Sequence, residues 1–232
     1  MKICGFQKMT MLDYPGKVAC TIFTYGCNFR CPFCHNATLV IDKADLISKQ
    51  EVLAYLNKRK GILDGVVVTG GEPLLQSEFV AELFELAHAE GVTTCLDTSG
   101  GSFRRGDAAI ERLIAATDIV LLDIKAFESK LHREVTGADN SQILDFARYL
   151  SEKGVPTWIR RVVVPGLTDG EDDLRKTGEF IKTLKNVERV EILPYHDFGI
   201  EKWRNLGLKY PLEGVQSAED ALIQRARAII TA

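Results

Sequence analysis

The chain has 232 residues, of which 46% are hydrophobic and 26% charged, and its formal net charge is −3. That balance excludes a disordered or collagen-like chain, and it lacks the basic excess of a nucleic-acid binder. No run approaches the eighteen apolar residues of a membrane span, and the first thirty residues lack the apolar core of a signal peptide. A cytoplasmic, reducing setting is expected, where six cysteines point to metal or catalysis rather than disulfides.

In chain order the apolar pattern alternates between short β-branched runs and longer amphipathic stretches. Residues 1–17 are read as a segment preceding the fold. A strand is predicted over 18–24, and a helix over 48–60, with Ser48 and Glu51 spaced as a capping box. A buried strand at 65–69 precedes a helix at 77–90 that stops at Gly91. Strands at 93–97 and 119–124 flank a helix at 108–117. A helix at 141–153 ends at Gly154, and a strand at 157–164 ends at Pro165-Gly166. A helix at 172–184, acidic in its first turn, leads to a strand at 187–193. The final helix is predicted at 218–230.

Six strands alternating with helices imply parallel pairing with right-handed crossovers. Eight such units make a full barrel of about 250 residues, so six in this length predict an open, partial (β/α)6 barrel. A doubly wound sheet is the competing α/β architecture. No linker divides residues 1–232, so a single domain is expected.

Parallel α/β folds place their sites at the C-terminal ends of the strands. Every predicted strand end here carries polar or ionisable groups. The first is followed by Cys27, Cys31 and Cys34 in a C-x3-C-x2-C loop, with His35 and Asn36 next. Three thiolates in one loop suit an iron–sulfur cluster with one iron left open; the alternative is a non-catalytic zinc site completed by His35 or a distant cysteine. Cys20 and Cys95 lie inside strands and read as packing residues; Cys4 is assigned no role. Thr69-Gly70-Gly71-Glu72 offers a close backbone approach and a carboxylate suited to an ammonium group. Asp123 and Lys125 alternate about Ile124 and point to one side. Arg160 and Arg161 face opposite ways, so only one faces the interior. His196 follows the last strand.

The cysteine loop resembles that of the radical S-adenosylmethionine superfamily. Cys31-x-x-Cys34-His35-Asn36, Gly70-Gly71-Glu72, Thr94–Thr98, Leu122–Lys125, Trp158–Gly166 and Leu193-Pro194-Tyr195-His196, with Gly199 and Lys202-Trp203 after it, are similar to stretches of its glycyl radical enzyme activases. The resemblance implies a [4Fe-4S] cluster on Cys27, Cys31 and Cys34 whose open iron binds S-adenosylmethionine. It implies reductive cleavage to a 5′-deoxyadenosyl radical that takes a hydrogen atom from a glycine of a partner protein. Gly70, Gly71 and Glu72 would meet the amino group of S-adenosylmethionine. Asp123, Lys125, Arg160 and His196 would hold its methionyl and ribosyl-adenine parts, with Phe33 and Asn36 bordering the adenine. Asp97, Thr98, the Leu121 carbonyl and Asp123 resemble a site for a monovalent cation, Na+ or K+. Asp13 and His35 would meet the partner. The partner implied is pyruvate formate-lyase, with reduced flavodoxin or ferredoxin as electron donor and a monomeric activase. The family often reads Asp-Gly-Pro-Gly where this chain has Asp13-Tyr14-Pro15-Gly16. That departure keeps an activase of anaerobic ribonucleoside-triphosphate reductase, or of another glycyl radical enzyme, as the alternative.

Overall fold

The computed structural model describes residues 3–41 and 47–232. Seven strands form one sheet: β1 (Ile3–Thr10), β2 (Ala19–Thr24), β3 (Gly65–Gly70), β4 (Thr93–Thr98), β5 (Ile119–Asp123), β6 (Thr157–Val163) and β7 (Val187–Pro194). Their order in the sheet is their order in the chain. β2 to β7 run parallel, whereas β1 pairs antiparallel with β2. A doubly wound sheet reverses its strand order at a switch point. The absence of any reversal here decides for the barrel-like winding, and β1 and β7 stay as open edges.

The helices are α1 (Ala37–Ile41), α2 (Lys49–Lys58), α3 (Ser77–Ala89), α4 (Ala108–Ala115), α5 (Ser129–Thr136), α6 (Ser141–Lys153), α7 (Glu171–Lys182), α8 (Ile200–Asn205) and α9 (Asp220–Thr231). Among the described residues, no helix is long and apolar enough to cross a membrane. The Ser48 hydroxyl accepts from the Glu51 amide, so the predicted N-cap forms. The segment before the first predicted strand carries a strand of its own at residues 3–10, which the sequence pattern did not show; residues 1 and 2 lie outside the described residues.

Strand alternation builds two faces. Val66, Val68, Leu96, Val120, Leu122 and Ile159 face the helices. Ala19, Val67, Cys95, Ile119 and Leu121, with Trp158 against them, line the concave interior around Tyr14. The Tyr14 ring lies over Gly65, where an added Cβ would fall 2.6 Å from it, and its hydroxyl donates to the Thr94 carbonyl at 3.2 Å. Gly65 and Thr94 stand at the N-terminal ends of β3 and β4, so Tyr14 closes the floor of the barrel.

Candidate functional site

Two residues further along each interior row the side chains turn polar. Thr69 follows Val67, Asp97 follows Cys95, Asp123 follows Leu121 and Arg160 follows Trp158. Parallel pairing sets Asp123 beside Arg160. The Arg160 Nε donates to Asp123 at 2.9 Å, while an Nη of the same fork donates to Asp97. Thr69 donates to Asp97 at 3.0 Å, and the Lys125 ammonium donates to Asp123 at 3.1 Å. Burial works to raise the Asp123 carboxyl, yet Arg160 and Lys125 hold it below the ordinary aspartate value. Burial opposes the charge on Lys125, but neighbouring Asp123 keeps its ammonium above the ordinary lysine value. Two anions and two cations thus form a balanced layer above an apolar floor.

The cysteine loop lies over this layer and is fastened on several sides. Gly71 and Glu72 donate backbone N–H groups to the carbonyls of Thr24 and Gly26, at 2.9 and 2.7 Å. Gly70 sits at φ +124°, and a Cβ there would fall 2.3 Å from the Thr24 nitrogen. On the far side the Arg30 N–H donates to the Thr136 carbonyl of α5 at 2.9 Å. The Asn28 amide donates to the Gly101 carbonyl at 2.9 Å. Phe29 is wedged against Gly101 and meets His132 of α5 edge-on, with ring centres 5.5 Å apart. From α8 the Trp203 indole donates to the Cys34 carbonyl at 2.9 Å.

Cys27, Cys31 and Cys34 all line a cavity of about 440 Å3, together with Phe33, His35, Asn36, Gly70, Gly71, Asp97, Thr98, Asp123, Lys125, Arg160 and His196. Burial pushes the Cys31 thiol up to about 12 and raises Cys27 and Cys34, with Lys125 pulling all three down. Their burial in one wall makes them poor free nucleophiles and good ligands for a metal that displaces the protons. The Phe29 N–H already points at the Cys27 sulfur at 3.3 Å, a bond of the kind that supports iron–sulfur clusters. A three-thiol donor set beside an open cavity fits a cluster with one free iron. His35, the fourth ligand of the zinc alternative, stacks on His196 at 4.3 Å, with its Nε2 3.3 Å from the His196 carbonyl. Among the described residues, no group of three or more His, Cys, Asp or Glu side chains is arranged to hold a single metal ion. The His196 Nδ1 is buried on the cavity wall without a partner, as a ligand-facing nitrogen would be.

Three of the expected sites are engaged within the chain. Glu72 does not line the cavity. Its fully buried carboxylate accepts from the hydroxyls of Thr98 and Ser99 and from the amides of Ser99, at 3.0 Å, and Leu74, also at 3.0 Å. With both oxygens taken, it braces the β4 loop instead of meeting an ammonium group. The residues of the expected cation set stand together at the ends of β4 and β5, where Arg160 engages Asp97 and Asp123 and Thr98 donates to Glu72. Asp13, expected at the partner, sits in the turn below β1 and accepts from Thr21 of the interior at 2.6 Å. His35 is at the cavity wall, and His196 in turn stacks on Phe198, which is 80% exposed. The sequence reading missed Trp203 and α5 as braces of the cysteine loop; the Lys202-Trp203 pair was visible but carried no role.

The sequence profile of the Radical SAM superfamily matches residues 21–181. A pyruvate formate-lyase-activating enzyme of Listeria monocytogenes is 42% identical, the alignment covering 99% of this chain and 95% of that protein. One from Streptococcus mutans is 44% identical, covering 99% and 92%. Among solved structures, a radical SAM methyltransferase from Sphaerobacter thermophilus superposes with a TM-score of 0.69 at 17% identity, over 96% of this chain and 65% of that one. A domain of a pyruvate-formate lyase-activating enzyme from Bacteroides vulgatus gives 0.59 at 24% identity, over 72% and 92%. These two likenesses speak for the fold.

Proposed function

The chain belongs to the radical SAM superfamily, and on that footing we propose that it activates pyruvate formate-lyase by raising a glycyl radical on that protein. The observation that carries the reading is three thiols, Cys31 buried and Cys27 and Cys34 half-buried, and a balanced charged layer facing one cavity. Cys27, Cys31 and Cys34 would hold the [4Fe-4S] cluster. When bound, the cluster supplies the electron for reductive cleavage of S-adenosylmethionine to the 5′-deoxyadenosyl radical.

The chain's own groups do the holding and the shielding. A cavity of about 440 Å3 is in the range of small-ligand sites. Lys125 and Arg160 present cationic groups to a ligand carboxylate, and the backbone at Gly70 and Gly71 stands open to the amino group. His196 Nδ1 offers a hydrogen bond to the nucleoside end, which Phe33 and Asn36 border. Tyr14 and the apolar floor keep water from entering below. His35 and exposed Phe198 form the rim to which the partner's glycine segment comes. Reduced flavodoxin or ferredoxin is the electron donor, and the activase works as a single-domain monomer. Because Tyr14 lies in the floor, the departure at Asp13–Gly16 does not alter the rim, and it gives no ground for preferring the reductase partner.

The test uses anaerobically reconstituted protein with dithionite, S-adenosylmethionine and purified pyruvate formate-lyase. A doublet glycyl radical signal together with 5′-deoxyadenosine is expected. 5′-Deoxyadenosine with no radical on this lyase refutes the partner and directs the same assay to anaerobic ribonucleotide reductase. No 5′-deoxyadenosine from protein with a full iron complement refutes the chemistry.

A further inference from the structure

Arg161 points away from the cavity, through the opposite face of β6 from Arg160, and its side chain is wholly buried. One Nη donates to the Asp173 carboxylate at 2.7 Å and to the Thr168 carbonyl at 3.0 Å. Asp173, in the first turn of α7, is also buried. Its oxygens accept from the backbone amides of Phe127, at 3.1 Å, and Glu128, at 2.7 Å. The same stretch is gripped from the other side, where the Asn140 amide donates to the carbonyls of Ala126 and Phe127. Lys125 is the residue just before this clamped stretch, and Ile124 is tied by its N–H to the Arg160 carbonyl at 3.0 Å. Beyond Ile124 the clamp, together with the packing of Phe127 on Phe180, holds the backbone that follows Lys125, whose ammonium stands 5.8 Å from the centre of the Phe33 ring.

A buried ion pair adds little net stability over well-packed apolar residues of similar size. What this one supplies is geometry: an ionised acceptor held by a cation can fix two backbone N–H groups where a neutral side chain holds them less firmly. We propose that Arg161 and Asp173 are positioning residues that, with Asn140, set where the Lys125 ammonium stands in the S-adenosylmethionine cavity. The pair couples the two arms of the charged layer, because Arg160 and Arg161 are neighbours on one strand and the clamp holds the three residues that follow Lys125. The proposal rests on the reading of Lys125 as a contact for S-adenosylmethionine.

The experiment is equilibrium binding of S-adenosylmethionine to reconstituted enzyme, without reductant or partner, so that no turnover enters. Iron content and thermal midpoint are recorded for every variant. Asp173→Asn keeps the side-chain shape and removes the charge; Asn140→Ala releases the other grip with no buried charge left behind, and serves if Asp173→Asn fails to fold. Each is expected to weaken binding by about tenfold, the scale of lost outer-shell support, with iron unchanged. Combined with Lys125→Ala, either should add less than about twofold, because the route runs through the lysine. Amide hydrogen exchange at Phe127 and Glu128 should quicken in both single variants. Equal losses in the presence and absence of Lys125 would make the clamp a structural brace only, and unchanged binding in both single variants would also overturn the proposal. Wild-type affinity in Lys125→Ala itself refutes the reading of that lysine as a contact, and the positioning role falls with it.

Discussion

Gly71→Ala is the sharpest probe of how the site is assembled. A Cβ on Gly71 would lie 1.9 Å from the Gly26 carbonyl oxygen and 2.5 Å from its carbon, where ordinary contact begins at 3.4 Å. The obstacle is backbone, so no side chain can swing aside; the β3 end and the cysteine loop must part by about 1.5 Å. That separation breaks the Glu72 N–H bond to Gly26 and strains the Gly71 N–H bond to Thr24. Each such bond contributes about 0.5–1.5 kcal/mol, and overpacking costs a further ~1–3 kcal/mol. The variant should lose about 2–5 kcal/mol, which in a chain of this size lowers the thermal midpoint by roughly 5–15 °C. The Cys27 nitrogen lies 3.2 Å from the added atom, so iron retention should fall as well. The assay is circular dichroism melting with iron analysis after anaerobic reconstitution. Gly170→Ala is the control: nothing lies within 4 Å and φ is −62°, so its change should stay within about 1 kcal/mol. An unchanged midpoint and full iron in Gly71→Ala would refute the close approach on which the cavity wall depends.

Arg160→Ala leaves Asp97 and Asp123 without their shared guanidinium, and should destabilise by about 3–5 kcal/mol while weakening S-adenosylmethionine binding, read by denaturant titration and equilibrium binding. Arg160→Lys restores charge without the fork and should fall between. Tyr14→Phe removes the hydroxyl that bonds the Thr94 carbonyl, so a loss of about 0.5–1.5 kcal/mol is expected with the glycyl radical yield unchanged; a selective fall in yield would place Tyr14 at the partner. Burial works to raise Asp118, but bonds from His88 and Thr94 hold it below its ordinary value of 3.8. Its contribution is therefore complete above that value and lost as pH falls below it. Asp118→Asn should lose less stability between neutral and acid pH than the parent chain, measured by thermal melts, and an identical acid limb would remove the role.

The parts legible in the sequence were those that local patterning decides. The βα rhythm gave the six parallel strands, and alternation placed Asp123 and Lys125 on one side. β1 escaped because ICGFQKMT alternates poorly, with Gln7, Lys8 and Met9 exposed, and irregularities interrupt its pairing with β2. α5 escaped because its eight residues bury only His132, Val135 and Thr136, and its place is set by the contact of His132 with Phe29. Glu72 shows a different limit. The motif fixed the residue type beside the two glycines, but four donors from Leu74, Thr98 and Ser99 decide where the carboxylate turns. Three of those donors come from Thr98 and Ser99 at the end of β4, and no local pattern encodes their convergence on Glu72.

Arg160 and Arg161 carry that argument furthest. Strand geometry requires two adjacent arginines to face opposite ways, yet it does not say which one faces the cavity. The partners decide. On one face Asp97 and Asp123, from the ends of β4 and β5, can neutralise a guanidinium; on the other face Asp173, from the first turn of α7, does the same. Arg161 is buried and Arg160 half-buried, and each has its own acidic partners, so a shift of the strand by one residue would carry both away from them and set Trp158 and Val162 against the helices. The pair therefore enforces register across β6, and register sets the height of Arg160 beside Asp123. In this barrel the residues behind the wall and those in front of it are one constraint, and the geometry of the cavity is fixed from both sides of the sheet.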